Sequence, residues 1–184
     1  VSRGFRVLIV NIFLFSLFGF KEQFFALPDS DWGKIRVAIV IFVFGITVVS
    51  ASAQSSRIAA DGGDIIVTPI VHASVQVEHA GVVIQVDPWS AGDLSKAKAA
   101  DLILVTDDPP HHLDPVAIEQ LRKPGAAVVL TATAYAKFGS GTVLANGQRS
   151  EFAGIPVEAV GAYDMTPGQP WHPKGEANGY VVTL

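Results

Sequence analysis

The sequence predicts an α/β layered protein over residues 64–184, preceded by hydrophobic N-terminal segments, and three observations carry that expectation. The unbroken apolar runs "DLILV" (101–105) and "AAVVLTA" (126–132) have the pattern of strands buried on both faces. Between them lie a polar loop and a segment with helical spacing, an order that indicates mixed layers. From residue 141 onward, short β-forming segments are separated by Gly and Asn-Gly turns.

Taken in order, residues 54–63 are polar and Gly-containing and read as a linker. "DIIVTPIVHASVQVEHAGVVIQVDPW" (64–89) reads as successive strands. In 70–78, Ile70, His72, Ser74, Gln76 and Glu78 alternate with Val71, Ala73, Val75 and Val77, the pattern of one half-buried strand. His79, Ala80 and Gly81 supply a hairpin turn that leaves His79 exposed; "VVIQV" returns and ends at Asp87, Pro88 and Trp89. "SAGDLSKAKAA" (90–100) is expected to hold a short helical turn. Asp114 and Pro115 have the character of an N-cap and a first helical residue, with Val116, Ile118 and Leu121 as the inward stripe. "GTVLANGQRSEFAGIPVEAVGA" (141–162) gives short strands turning at Asn146-Gly147 and Gly154, and "GYVVTL" (179–184) a last strand. Functional groups in such layouts gather on loops that leave strand ends, where Asp87 and the 106–114 loop both stand.

The hydrophobic content is 49%, and residues 1–53 hold most of the excess. "GKIRVAIVIFVFGITVVSASAQ" (33–54) has the parts of a secretory signal: Lys34 and Arg36, an uncharged apolar stretch at 37–49, and the A-x-A triplet Ala51, Ser52, Ala53. Thirteen helical residues rise roughly 20 Å, short of the ~30 Å hydrocarbon core. The expectation is therefore a signal peptide at 34–53, cleaved to release Gln54 into the periplasm or the exterior; an uncleaved membrane anchor is the alternative. Upstream, residues 1–33 contain a second apolar block, "FRVLIVNIFLFSLFGF" (5–20). Either translation starts further downstream, or residues 5–49 hold two membrane segments.

Residues 54–184 carry 8 Lys/Arg against 14 Asp/Glu, a formal net charge of −6. Such a chain presents no electrostatic footprint for nucleic acid, and a small-molecule substrate is the expected partner, with any membrane contact confined to the N-terminal segments. Cysteine is absent, which excludes disulfides and thiolate metal sites and leaves N and O donors for any metal.

The loop "TDDPPHHLD" (106–114) sets two carboxylates, two prolines and two adjacent histidines directly after a buried strand. These residue types suit a divalent-metal site; a polar, Pro-rich turn with solvent-facing histidines is the plain alternative. The order "VHASVQVEHAGVVIQVDPW", "ADLILVTDDPPHHLD", "FAGIPVEAVGAYD", "HPKGEANGYVV" resembles the N-terminal half of the metallo-β-lactamase superfamily, closest to its lactonase-like and phosphodiesterase-like zinc-dependent hydrolases. In that branch a GHxS-type strand, a strand ending in DPW and a T/S-H-x-H-x-D-H-L-D loop follow in the same order. The resemblance implies an αββα sandwich, a metal centre, and hydrolysis of ester, lactone or phosphodiester bonds. The family continues past the strand matching "GYVVTL" into a second half with further ligands, so residues 64–184 are expected to be a partial domain, a fragment of a longer protein or a chain unable to complete the fold alone.

Aligned without gaps, the loop departs from the family pattern. Asp107 stands at the first histidine, Pro109 at the second and His111 at the aspartate, whereas His112, Leu113 and Asp114 match. Proline offers no side-chain donor, so the resemblance implies at most a remodelled, mononuclear zinc site, or one for another divalent metal, on His112, His111 and Asp107. Because adjacent side chains usually diverge, one of the two histidines is expected to point inward rather than both. Further pocket candidates are His72 at the GHxS-type histidine, Asp87 as a carboxylate that orients a ligand, and Asp108. Asp114 is read foremost as a helix cap. Tyr163 and Asp164 fall where the family often has a histidine or an AYN triplet, and His172 and Lys174 lie in the HPKG segment. A metal-dependent hydrolase is the leading expectation. A catalytically inactive binding module and a membrane-anchored interaction protein are the alternatives.

Overall fold

In the computed structural model the described residues are 6–9 (backbone only), 55–165, 168 and 172–184. They belong to one compact unit, Val1–Leu14 with Ala53–Leu184; a second unit, Phe15–Ser52, lies outside them, as does the expected signal segment. Among the described residues no helix is long and apolar enough to cross a membrane.

A seven-stranded sheet has the order β2-β3-β4-β5-β6-β7-β8, from Ser56–Ile58, Ile65–Val71, Ser74–His79, Val82–Val86, Ala100–Leu104, Arg122–Leu130 and Thr142–Val143. Its first half is an antiparallel meander, and β5 through β8 are parallel. A four-stranded antiparallel sheet has the order β1-β11-β10-β9, from Arg6–Ile9, Asn178–Thr183, Ile155–Gly161 and Arg149–Phe152. The expected upstream block thus contributes a strand at 6–9, with Arg6 opposite Thr183, and the expected linker contains β2.

Period-2 alternation in β6 explains the layering. Leu102 and Leu104 join Ile84, Val86, Val157, Tyr180 and Val182 in the core between the two sheets. Ile103 turns the other way and packs with Ile118 and Ala134, from the two helices. A strand covered on both faces must be apolar throughout, which is why "DLILV" contains no polar residue after Asp101. The helices are α1, Pro115–Leu121, and α2, Ala132–Phe138. Asp114 caps α1 and Pro115 opens it as expected, and Ile118 and Leu121 are buried; Val116, however, faces solvent and Ala117 takes its inward place.

Three further expectations are corrected. Residues 70–78 are two strands joined by a turn at His72 and Ala73; His72 is exposed there, but the polar side of the second strand is buried at Ser74 and Gln76. Ser74 and Gln76 are buried, and the Gln76 Oε1 accepts bonds from Gln85 Nε2 and the Lys98 amide, each at 2.8 Å. Internal pairing lets a polar face be buried, so alternation here did not mark exposure. Residues 90–99 form turns rather than a helical turn, held by Gly92 N–H to Trp89 O and Ala97 N–H to Leu94 O. His79 closes β4 and is half-buried rather than exposed.

Candidate active site at the ends of β5 and β6

Strands β5 and β6 run parallel with Val86 opposite Leu104, so the residues that follow each emerge side by side. Asp87, the first residue past β5, is buried and adopts φ +43°, with its amide donating to Leu104 O at 2.9 Å. Left-handed backbone is uncommon for a residue with a Cβ; here it aims the carboxylate across β6 rather than along its own strand. Asp87 Oδ1 accepts the Thr106 amide at 2.7 Å, and Oδ2 accepts the Thr106 hydroxyl at 2.5 Å and His112 Nδ1 at 2.8 Å. With the carboxylate as acceptor, Nδ1 carries the proton in this bond. Burial pushes the Asp87 carboxyl above its ordinary range, against the opposing pull of His112 and Thr106. His112 is wholly buried, so ring and carboxylate form a pair shielded from water.

The loop itself is shaped by Pro109, whose carbonyl accepts both the His112 amide at 2.8 Å and the Leu113 amide at 2.9 Å. This tight turn overrides the usual divergence of adjacent side chains: the His111 and His112 ring centroids lie 4.4 Å apart. His111 also meets His72 at 4.7 Å and Trp89 at 6.2 Å, and His72 stands 6.1 Å from His112. The His111 pKa is lowered, first by burial and then by the positive charge that His112 and His72 would carry, against the pull of Asp107. His72 sits on the β3–β4 turn at φ +51°. Two of the described non-glycine residues with left-handed backbone, His72 and Asp87, therefore belong to this one site.

The other candidates divide. Asp107 is buried at the rim: Oδ1 accepts the Asp108 amide at 2.8 Å, and Oδ2 lies 3.5 Å from His172 Nε2. His172 Nδ1 lies 3.5 Å from Asp164 Oδ1, the His172 N–H donates to the Asp164 side-chain Oδ2 at 3.1 Å, and the Asp164 N–H donates to His172 O at 3.0 Å. The "AYD" and "HPKG" segments are thereby joined to each other and to the loop. Asp108 turns outward to Lys137 at 2.9 Å. Asp114 is a cap, accepting from the Val116 and Ala117 amides, and its other oxygen accepts Ser90 N–H at 2.8 Å and Ser90 Oγ–H at 2.6 Å. It thus fastens the "DPWS" segment to the loop. Lys174 lies over the Tyr163 ring at 5.6 Å, and both are exposed.

Several supporting residues escaped sequence reasoning. Thr106 bridges Asp87 and its carbonyl accepts the Asn178 amide at 2.9 Å. Asn178 Nδ2 donates to Leu144 O at 2.7 Å and to the Tyr180 hydroxyl at 3.0 Å, which in turn donates to Val105 O at 2.9 Å. Both are buried and tie the second sheet to the site-bearing strand end. For Asn178 the only visible signal was a polar residue at the start of an otherwise apolar last strand.

A model of the beta-lactamase superfamily domain matches residues 66–184. The chain belongs to the beta-lactamase superfamily. Its architecture is of the metallo-β-lactamase type. Among solved structures it is similar, at 34% identity and a TM-score of 0.66, to a Parabacteroides distasonis ATCC 8503 protein named "putative metal-dependent hydrolase". That match covers 72% of this chain and 62% of the other, so the chain spans less than two thirds of this superfamily relative. No curated protein matches.

The donor types, imidazole nitrogen and carboxylate oxygen, are ones that a divalent ion accepts. The buried Asp87 carboxylate on Nδ1 fixes the orientation of the His112 ring, the part that a carboxylate plays behind a metal-ligating histidine. The set does not fit a two-ion centre. Pro109 removes one donor, and among the described residues no group of three or more His, Asp or Glu side chains is already disposed to hold a metal.

Proposed function

We propose that this chain is part of a metal-dependent hydrolase of ester, lactone or phosphodiester bonds, with a single divalent ion, zinc in the first instance, at a remodelled site involving His112, His111 and Asp107. The observation that carries the reading is the buried Asp87–His112 pair at adjacent strand ends, beside a second imidazole. Superfamily membership and the name of the similar protein support the reaction class. A bound zinc ion would lower the pKa of its water to about 7 and polarise the scissile group. The chain's own part is to hold His112 in one orientation through Asp87 and Thr106, and to wall the site with Trp89. Donors beyond those described would come from the portion of the fold that the relative has in addition. Metal analysis of gently purified full-length protein tests this: one equivalent of zinc, iron or manganese is expected, and substoichiometric metal refutes it.

Pro109 and the altered ligand order favour a second reading, a catalytically inactive fold retained to bind a ligand or partner. Esterase or phosphodiesterase activity abolished by His112→Ala eliminates it. We further propose a periplasmic or secreted location, supported by the signal-like segment at 34–53. A mature N-terminus at Gln54 is expected on sequencing; an intact upstream segment in the membrane fraction favours the anchored alternative.

A further inference from the structure

We infer that Asn146, on the turn between β8 and β9, is a positioning residue for the site at the β5 and β6 strand ends, acting through Asn178 and Thr106 on the Asp87–His112 pair. Its effect on turnover rests on the hydrolase reading above; its effect on the His112 ring does not.

The turn is built without the Asn146 side chain. Gln148 N–H donates to Ala145 O at 2.9 Å, and the Gln148 Oε1 accepts the Ala145 amide at 2.8 Å. Gly147 takes φ +84° and donates to Ala159 O at 2.7 Å. Asparagine in a turn commonly bonds its own backbone. The Asn146 amide instead reaches outward: Nδ2 donates to Val160 O at 3.3 Å, Ala177 O at 3.1 Å and Asn178 Oδ1 at 2.5 Å. One half-buried amide thus gathers the end of β10, the start of β11 and a buried side chain.

From Asn178 each link toward the site has a fixed direction. Because its Oδ1 accepts from Asn146, its Nδ2 is turned to donate to Leu144 O at 2.7 Å and to the Tyr180 hydroxyl at 3.0 Å. The reverse orientation would set the amide oxygen against Leu144 O, acceptor facing acceptor. Receiving from Asn178, the Tyr180 hydroxyl gives its proton to Val105 O at 2.9 Å, while the Asn178 backbone N–H donates to Thr106 O at 2.9 Å. Val105 and Thr106 are the two residues that follow β6, so the second sheet grips the strand end at consecutive carbonyls. Thr106 then supplies both an amide and a hydroxyl bond to Asp87, which holds His112. A shift of Asn178 therefore carries Thr106 and the carboxylate with it. Asn178 is buried, so bulk water does not replace the bond from Asn146.

The test uses full-length protein, with p-nitrophenyl acetate and bis(p-nitrophenyl) phosphate as substrates and imidazole ¹H–¹⁵N spectra recorded without substrate. In Asn146→Ala the His112 Nδ1–H should exchange with water about ten-fold faster, and kcat should fall about ten-fold with KM within about two-fold. Asn146→Ser keeps one donor and should fall between; it carries the test should the alanine variant not fold. Phe152→Leu, on β9 with its side chain against the core between the sheets, is the control for lost stability and should leave kcat and the His112 signal as in wild type. In an Asn178→Ala background, Asn146→Ala should lower kcat no further. An unchanged His112 signal in folded Asn146→Ala, effects reproduced by Phe152→Leu, or an added loss on top of Asn178→Ala overturns this inference and leaves the hydrolase reading standing. Faster His112 exchange in Asn146→Ala, with no hydrolysis by wild type, supports the positioning and counts against the hydrolase reading alone.

Discussion

Replacing Asp87 by asparagine isolates what the buried carboxylate does. Asparagine is nearly isosteric and tolerates φ +43°, so backbone strain is left as it is. Its carbonyl can keep the 2.7 Å bond from the Thr106 amide. At the Oδ2 position an NH₂ group then faces the Thr106 hydroxyl, which can rotate to accept, and His112 Nδ1, which can accept only by surrendering its proton. The imidazole must either switch to the Nε2–H tautomer or leave two donors opposed in a dry site. One unsatisfied buried donor costs about 1–3 kcal/mol. Because a neutral amide is cheaper to bury than an ionised carboxylate, the loss should fall in the lower half of that range.

Three measurements follow this substitution. Urea denaturation should show the midpoint falling with the slope unchanged. An imidazole ¹H–¹⁵N correlation should move the His112 proton from Nδ1 to Nε2. Zinc affinity should drop ten- to a hundred-fold, as for other residues that orient a metal-ligating histidine. Asp87→Ala, which strips the acceptor from the Thr106 amide and His112 alike, should cost about 2–6 kcal/mol. An Asp87→Asn protein with unchanged stability and an unchanged Nδ1–H tautomer would refute the claim that this carboxylate sets the ring.

Three other perturbations address separate parts of the molecule. For Asp114, burial raises the carboxyl pKa but is outweighed by bonds from Ser90, Ala117 and Val116, leaving it below the ordinary 3.8. The unfolded chain then binds more protons in that interval, so the stabilisation is present above pH 3.8 and lost as pH falls through the lower folded value. The stability difference between wild type and Asp114→Asn should therefore shrink on acidification, and a gap constant with pH contradicts it; Asp114→Ala should cost about 1 kcal/mol at neutral pH through the lost cap. Tyr180→Phe removes the hydroxyl that serves Val105 O and Asn178 Nδ2 and should cost about 1–3 kcal/mol by denaturant titration, whereas a neutral result places that bond among the dispensable ones. Pro109→His restores an imidazole without touching the backbone carbonyl that shapes the turn, so zinc affinity or stoichiometry should rise in a calorimetric titration. No gain would mean that the missing donor is not what limits the site.

Much of the scaffold was legible because burial leaves one-dimensional traces. β6 and the apolar part of β7 are covered on both faces, so their apolar runs are unbroken, and α1 announces itself through an aspartate whose side chain caps it and a proline suited to its first turn. The misreadings have physical causes. Apart from Ala132, read as the end of the strand at 126–132, α2 drew no expectation, because Thr131 and Thr133 carry β-branched residues across the boundary; its signals were Thr131, which caps it by accepting from the Ala134 amide, and Gly139 at φ +78°. The turn at His72 and Ala73 carries neither glycine nor asparagine, so a strained histidine in that place looked like a strand residue. Side-chain bonds at Gln76, Asn178 and Tyr180 bury polar groups that the sequence suggested were solvated or left without a role.

For the site, residue types were readable and their partnerships were not. Spacing along the chain groups His111 with Asp107, four residues away, but does not show that the turn at Pro109 folds the loop back or that Asp107 also lies 3.5 Å from His172. His72 lies 39 positions before His111, yet its ring is nearer His111 than is Trp89. What joins them is the meander: β3 turns into β4, β4 pairs β5, and β5 delivers Asp87 and Trp89 beside the end of β6. The loop and the β3–β4 turn are thereby brought to one strand end, with the His72 and His111 rings 4.7 Å apart. The consequence is asymmetric. Changes within 107–112 alter which donors are offered, while Asp87 and Thr106 hold the ring of His112 whichever ion or ligand the remaining donors select.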